Sequence, residues 1–198
     1  MPRLPAFSFL ACHLLSSIAL ANLNICPLTL DGNCVCFEHI EELSSPTPFG
    51  SRSGLDVQCS NMTGMSLHHD IDSIVKLFNG TKSIFVLQVR DSNLADLRGL
   101  PSGLVDLKQL TLNNTNIDLE QVRESSEILA SLKTFNVNQE KFTEIPEDFF
   151  RDLHGLNNLG LDNVGLKAIS TDGLEFLEDS LKQLRSVLVL LDRRSSDS

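Results

Sequence analysis

Apolar residues along the second half of the chain recur in a frame that is neither helical nor simply alternating. Ile84, Leu87, Val89 and Leu94 occupy the apolar places of the pattern L-x-x-L-x-L-x-x-N-x-L. The frame returns at Leu107, Leu110, Leu112 and Ile117, then at Leu132, Phe135, Val137 and Phe142, then at Leu156, Leu159, Leu161 and Leu166. Leu181 opens a fifth unit, and successive units start 23, 25, 24 and 25 residues apart. Inside each unit the x-L-x-L-x core alternates with period two, which predicts a short strand with one buried face. The intervening segments space their apolar residues more loosely, as at Val122, Ile128, Leu129 and Leu132, or Phe149, Phe150 and Leu153. Pro146 followed by Glu147 and Asp148 suits the opening of a helical turn there. One unit cannot bury its own leucines, so neighbours must stack into a continuous core. The expected architecture is α/β, with repeats over 83–191 and the last one incomplete.

Upstream of the repeats the pattern changes. Leu55-Asp56-Val57-Gln58-Cys59 reads as a capping strand. Asp70 is expected to cap a short helix whose Ile71, Ile74, Val75 and Phe78 share one face. Met1 to Ala21 places Arg3 before an apolar stretch from Phe7 to Leu20 and ends in Ala-Leu-Ala. These features predict a secretory signal peptide over 1–21, cut before Asn22, and too short in its apolar run for a membrane span. The expected organisation is then a cysteine-rich cap over 22–82, the repeats, and a polar tail over 192–198.

Charge narrows the partners. Lys and Arg total 16 against 26 Asp and Glu, a net charge of −10 that becomes −11 once Arg3 leaves with the leader. A nucleic-acid binder needs the opposite excess, and Trp and Tyr, the best stacking platforms, are absent from the sequence. Nucleic acid is therefore excluded as an expected partner. Near the C-terminus, Val187 to Leu191 is only five apolar residues long, so no membrane span is expected there either.

Removing the leader also removes Cys12 and leaves Cys26, Cys34, Cys36 and Cys59, spaced C-x7-C-x-C-x22-C. An even number of cysteines in an oxidising compartment predicts disulfides rather than zinc, which favours C-x2-C pairs. Cys34 and Cys36 are expected on opposite faces of an extended strand, each reaching a different partner. Four cysteines allow three pairings, and spacing does not choose among them.

A signal peptide, a cysteine cluster with a central C-x-C, and repeats of about 24 residues resemble the extracellular leucine-rich repeat proteins over residues 26–191. The resemblance implies a curved solenoid with a parallel sheet on the concave face and short helical or irregular segments on the convex side. It also implies the pairs Cys26–Cys36 and Cys34–Cys59, and members that bind proteins, glycans or lipids without catalysis. Some arthropod members with this cap resemble the non-catalytic subunit of a shrimp luciferase. Two departures stand out: Ser92, Thr115, Glu140 and Val164 replace the template Asn, and in the first two units an Asn follows one place later, at Asn93 and Asn116. Ser and Thr can make a shorter version of the Asn bond to neighbouring backbone; Val cannot.

Residues flanking the strand leucines are expected on the concave face: Gln88, Arg90 and Asp91; Thr111, Asn113 and Asn114; Asn136, Asn138 and Gln139; Gly160, Asp162 and Asn163. Of these, Gln88, Arg90, Thr111, Asn113, Asn136, Asn138 and Asp162 form the candidate binding face. Asn61, Asn79 and Asn113 each open an N-x-[ST] sequon, and a glycan at Asn113 would shield the middle of that face. His68-His69-Asp70 lacks a third ligand at metal spacing and reads as a solvated pair before a helix, so no metal or cofactor is expected. No G-x-S-x-G, H-E-x-x-H or phosphate-loop motif occurs in the sequence, so no enzymatic activity is expected.

The expected role is a secreted protein-binding module. The alternative is a non-catalytic stabilising subunit of a secreted enzyme complex, as the luciferase subunit is. No cysteine follows Cys59 to staple the last repeat, and Ser186 falls where a third strand leucine belongs. The C-terminal edge is therefore expected to self-associate, or the chain to be a shortened product of a longer protein.

Overall fold

Strands form wherever the apolar residues alternate, and they assemble strictly in chain order. The computed structural model describes residues 25, 33–41, 52–96, 98–141, 145, 149, 153, 155–165 and 186–189. Strand β1 (Cys34–Glu41) pairs antiparallel with β2 (Arg52–Ser60). From β2 onward all neighbours are parallel: β3 (Ile84–Arg90), β4 (Gln109–Asn113), β5 (Thr134–Asn138), β6 (Asn158–Asp162) and β7 (Ser186–Val189). The seven strands run β1-β2-β3-β4-β5-β6-β7 in one open sheet. The protein is thus α/β with a mostly parallel sheet, the coarse class read from the repeat.

One face of the sheet carries the core. Fourteen of the sixteen apolar template residues are described, and each is at most 8% exposed; Phe142 and Leu166 lie outside the described residues. Each buried leucine contributes about 1.5–3 kcal/mol relative to exposure. The register stacks them directly: Leu87 beside Leu110 beside Phe135 beside Leu159, and Val89 beside Leu112 beside Val137 beside Leu161. Val57 and Cys59 of β2, 0% and 2% exposed, extend the two rows to the cap as its expected strand, and Leu55, 0% exposed, pairs with Ile84.

The connectors cover this apolar face. Helix α1 (Gly64–Leu77) presents Leu67, Ile71 and Ile74 to it. Helices α2 (Leu119–Arg123) and α3 (Ser126–Ser131) bury Val122, Ile128 and Leu129, as their spacing suggested. Phe149 packs against Phe135 with ring centres 5.8 Å apart, and Leu153 is buried beside the same core. Pro146, Glu147 and Asp148 lie outside the described residues.

The start of α1 corrects one expectation. Thr63, not Asp70, is the N-cap: the Ser66 N–H donates to Thr63 Oγ1 (3.2 Å) and the Thr63 N–H donates to Ser66 Oγ (2.9 Å). The Gly64 N–H is taken by Asp96 Oδ1 at 2.7 Å. This reciprocal pair caps the helix seven residues before Asp70, with Ser in the place usually held by Glu or Gln. Asp70 lies mid-helix and 7% exposed, and His68 and His69 are helical rather than a pair ahead of the helix.

The cap holds two further findings. Cys34 and Cys36 share the core face of β1, opposite Cys59 and Val57, because residues two apart on a strand point the same way. They nevertheless reach different partners. Cys34 is bonded to Cys59 across the antiparallel pair, with Cα atoms 4.1 Å apart. Cys36 is disulfide-bonded too; Cys26, the partner implied for it, lies outside the described residues, although the neighbouring Ile25 N–H donates to the Cys36 carbonyl at 2.8 Å.

The last strand is displaced from its expected register. Counting 25 residues from the fourth unit put Leu184 and Ser186 beside Leu159 and Leu161. Instead Val187 pairs with Leu159 and Val189 with Leu161. The shift of three residues puts two branched apolar residues in the leucine rows and removes a serine from them. Leu181 and Leu184 themselves, the leader at 1–21 and the tail at 192–198 lie outside the described residues.

Candidate binding face

The face of the sheet away from the leucines is built from rows of polar side chains set by strand register. Gln88, Thr111, Asn136 and Gly160 lie side by side across β3 to β6. Arg90, Asn113, Asn138 and Asp162 form the next row toward the strand ends. All seven candidate residues therefore sit on one surface, with Arg90 and Asp162 exposed and the five between half-buried. A third row, Gln109, Thr134 and Asn158, runs alongside, where Asn158 Nδ2 donates to Thr134 Oγ1 at 3.3 Å. Asn136 fills the space above Gly160, where a Cβ would stand 2.6 Å from its Oδ1.

Four residues expected on this face belong elsewhere. Asp91, Asn114, Gln139 and Asn163 follow the last residue of their strands in left-handed conformation, with φ of 47°, 53°, 56° and 52°. Asn61 does the same after β2, with φ 56°. Each of the first four such residues in the chain donates its N–H to the end of the next strand: Asn61 to Arg90, Asp91 to Asn113, Asn114 to Asn138 and Gln139 to Asp162. Their side chains line the rim, where Asn114 Nδ2 donates to Asp91 Oδ1 at 3.0 Å and Asn116 Nδ2 to Asn93 Oδ1 at 3.2 Å.

The replaced template positions still tie units together. Ser92 Oγ accepts the Met62 N–H (3.0 Å) and donates to the Arg90 carbonyl (2.8 Å). Glu140, 3% exposed, accepts from both the N–H (2.5 Å) and the hydroxyl (2.7 Å) of Thr115, itself fully buried. A carboxylate thus performs between units the bond that an Asn amide would make.

The outer face also carries apolar residues that the repeat frame does not reveal. Phe37 and His39 of β1 stand opposite Asp56 and Gly54 of β2, and Asp56 in turn pairs with Val86 of β3. Between Leu55 and Asp56 the pairing with β3 skips one residue, so Phe85 is bulged out of the ladder. Its ring lies over Gly54, where any Cβ would come within 2.4 Å of Phe85 Cδ2. His39 meets the same ring edge-on at 6.2 Å. The unbroken run Ile84-Phe85-Val86-Leu87, which violates strand alternation, was the signal in the sequence for this bulge.

Asp56 is the electrostatically unusual group here. Its Oδ1 is buried and has no hydrogen-bond partner among the described residues. Burial pushes its carboxyl above the ordinary range, against the smaller pulls of the Gln58 amide and the His39 ring. Nearby Glu38 behaves oppositely, held below its usual value by hydrogen bonds from Lys82 (2.6 Å) and Ser53 (2.9 Å) and by the Lys82 charge.

Of the sequons, Asn61 and Asn79 are exposed in left-handed turns, whereas Asn113 is half-buried within the outer face. His68 Nε2 donates to the Gly99 carbonyl at 3.1 Å, and no group of three or more metal-ligating side chains converges among the described residues. His68 and His69 border a cleft of about 730 Å³ with Met65, Asp72, Asp96 and Arg98. No family model, curated protein or solved structure matches the chain.

Proposed function

We propose that the chain is a secreted, non-enzymatic recognition module of the leucine-rich repeat type, which binds a protein through the outer face of its sheet. The observation that carries this reading is the set of in-register polar rows across β3 to β6, mounted on strands whose buried leucines repeat every 23–25 residues. Such a surface supplies many planar amides and hydroxyls at fixed spacing, which suits hydrogen bonding to another protein. A stack in which β2 to β6 are each followed by a left-handed residue, the first four of which bond the next strand in the same way, supports a solenoid. The Cys34–Cys59 disulfide fits an oxidising compartment, and no described helix is long and apolar enough to cross a membrane. Glycans at Asn61 and Asn79 would leave the face open; one at Asn113 would cover it. The outer edge of β7, the last strand of the described sheet, is the proposed site of self-association, which Leu188→Lys with Leu190→Lys should relieve.

Cross-linking of the native secreted protein, followed by mapping of the linked residues, tests the reading. Links from Gln88, Arg90, Asn113, Asn138 or Asp162 to a protein ligand support it. Full glycan occupancy at Asn113, or links confined to the helical side, would overturn the face assignment. One obligate enzyme recovered as the sole partner would make the chain a stabilising subunit instead.

A further inference from the structure

The corner of the outer face nearest the cap has a chemistry that the polar rows lack. Asp56 is flanked in register by Phe37 on one side and Val86 on the other, with Phe85 folded over Gly54 beside them. We infer that this corner receives a basic side chain, arginine or lysine, projecting from the partner protein.

Three observations converge on a cation. First, Asp56 Oδ1 is buried without a hydrogen-bond donor among the described residues, a costly arrangement for a carboxylate unless a ligand supplies one. Second, Lys82 Nζ is committed to Glu38 at 2.6 Å, and Asp56 forms no ion pair among the described residues. Third, the chain carries a net charge of −10, which draws basic partners in general. Burial displaces the Asp56 carboxyl upward despite the smaller pulls of Gln58 and His39, so these groups do not offset the desolvation of its charge. Phe37, half-buried and opposite the acid in register, supplies an aromatic ring with which a guanidinium or ammonium can interact. A neutral donor would satisfy the oxygen but leave the charge unopposed in an apolar setting. The inference rests on the outer face being the binding face and narrows it to one anchoring contact.

Titration of the full isotope-labelled chain with the capped tripeptides Gly-Arg-Gly, Gly-Lys-Gly and Gly-Gln-Gly, and separately with maltose, tests it by NMR. Saturable shifts of the Asp56 carboxyl and of the Gln58 and Val86 amides are expected with the basic peptides and not with the Gln peptide. Asp56→Asn should weaken that binding by about tenfold or more, as loss of one partner of a desolvated charge pair does. Phe37→Leu, which keeps the apolar surface, should weaken it less, and Glu127→Gln, exposed on α3 at the helical side, should leave it unchanged. Equal response to the Gln peptide, no saturation, or indifference to Asp56→Asn overturns the inference; saturation by maltose alone assigns the corner to a sugar. A protein ligand that cross-links to the outer face yet ignores Asp56→Asn would remove this anchor while leaving the proposed function standing.

Discussion

Glu140 offers the sharpest test of how the units are joined. Its carboxylate is buried, and one oxygen accepts two donors of the preceding unit, the Thr115 N–H at 2.5 Å and the Thr115 hydroxyl at 2.7 Å. Glu140→Ala removes the acceptor and leaves both donors buried at a residue that is 0% exposed. An unsatisfied buried donor costs about 1–3 kcal/mol. Two donors sharing one oxygen are not fully additive, so the loss should total about 2–5 kcal/mol. Glu140→Gln keeps an oxygen at the same reach and gives up only the charge, for a cost of about 1–2 kcal/mol. Thr115→Val deletes the hydroxyl but keeps the N–H bond, and should fall in the same range.

Urea denaturation followed by circular dichroism would measure the series, with an unchanged slope confirming that the same surface unfolds. In a chain of this size the Ala variant should lose roughly 5–15 °C in Tm. The expected order is Glu140→Ala well above Glu140→Gln and Thr115→Val. If Glu140→Ala cost less than about 1 kcal/mol, or no more than Glu140→Gln, the carboxylate would be solvated and the inter-unit bond absent.

Three further outcomes follow from the same contacts. Leu110→Ala or Leu159→Ala should cost about 2–5 kcal/mol by calorimetry, whereas Asn138→Ala on the outer face should stay within about 0.5 kcal/mol; a reversed order would mean that the strand faces are exchanged. Gly54→Ala should destabilise, because its Cβ would stand 2.4 Å from the Phe85 ring, and Phe85→Leu should restore much of the loss; an innocuous Gly54→Ala would place the ring elsewhere. The pH dependence of urea stability should carry two opposed contributions. Asp56, raised in the folded state, makes the fold hold its proton more tightly, so its contribution falls as pH climbs from the unfolded carboxyl value through the raised one, and Asp56→Asn should flatten that slope. Glu38, lowered by Lys82, contributes above its unfolded value and loses that contribution as pH falls through the lowered one, so Glu38→Gln should remove an acid-side loss. A Glu38 variant that changed the alkaline side instead would contradict the sign.

What was legible in the sequence was whatever depends on side-chain spacing alone. The leucine rows required only period two and a constant offset between units, and both were visible. The connectors at Val122, Ile128 and Leu129 were legible for the same reason. Backbone dihedrals were not. Asp91, Asn114, Gln139 and Asn163 read as face residues because alternation was extended one step too far, past the point where φ changes sign. Asp70 read as a cap because an acid before an apolar stripe is a common signal, while the competing box at Thr63 used Ser66, a weaker mark. Phe85 hid in a run of apolar residues whose break in alternation is the bulge itself. The final strand shows the limit of fixed spacing: Val187 and Val189 pair in register with Leu159 and Leu161, three residues later than a constant interval places them.

The left-handed residue that follows each of β2 to β6 explains why the units stack so regularly, and it exposes one weak link. Four of the five are Asn or Asp, whose short polar side chains tolerate positive φ better than other non-glycine residues do. The exception is Gln139, at φ 56°, with a longer side chain that gains nothing locally. Holding such a residue in this conformation costs about 1–2 kcal/mol, partly balanced by the extra backbone entropy that glycine would bring to the unfolded state. Gln139→Gly should therefore stabilise by about 0.5–1 kcal/mol, and Gln139→Asn by a few tenths. Gln139→Val, branched at Cβ, should destabilise by more than about 1 kcal/mol. None of the three removes the Gln139 N–H that bonds the Asp162 carbonyl at 3.0 Å, so the comparison isolates the dihedral from the hydrogen bond. Urea midpoints measured under one condition decide it. A destabilising Gln139→Gly, together with a neutral Gln139→Val, would show that the chain leaves β5 in an extended conformation, and the shared turn that joins one unit to the next would lose its fourth member.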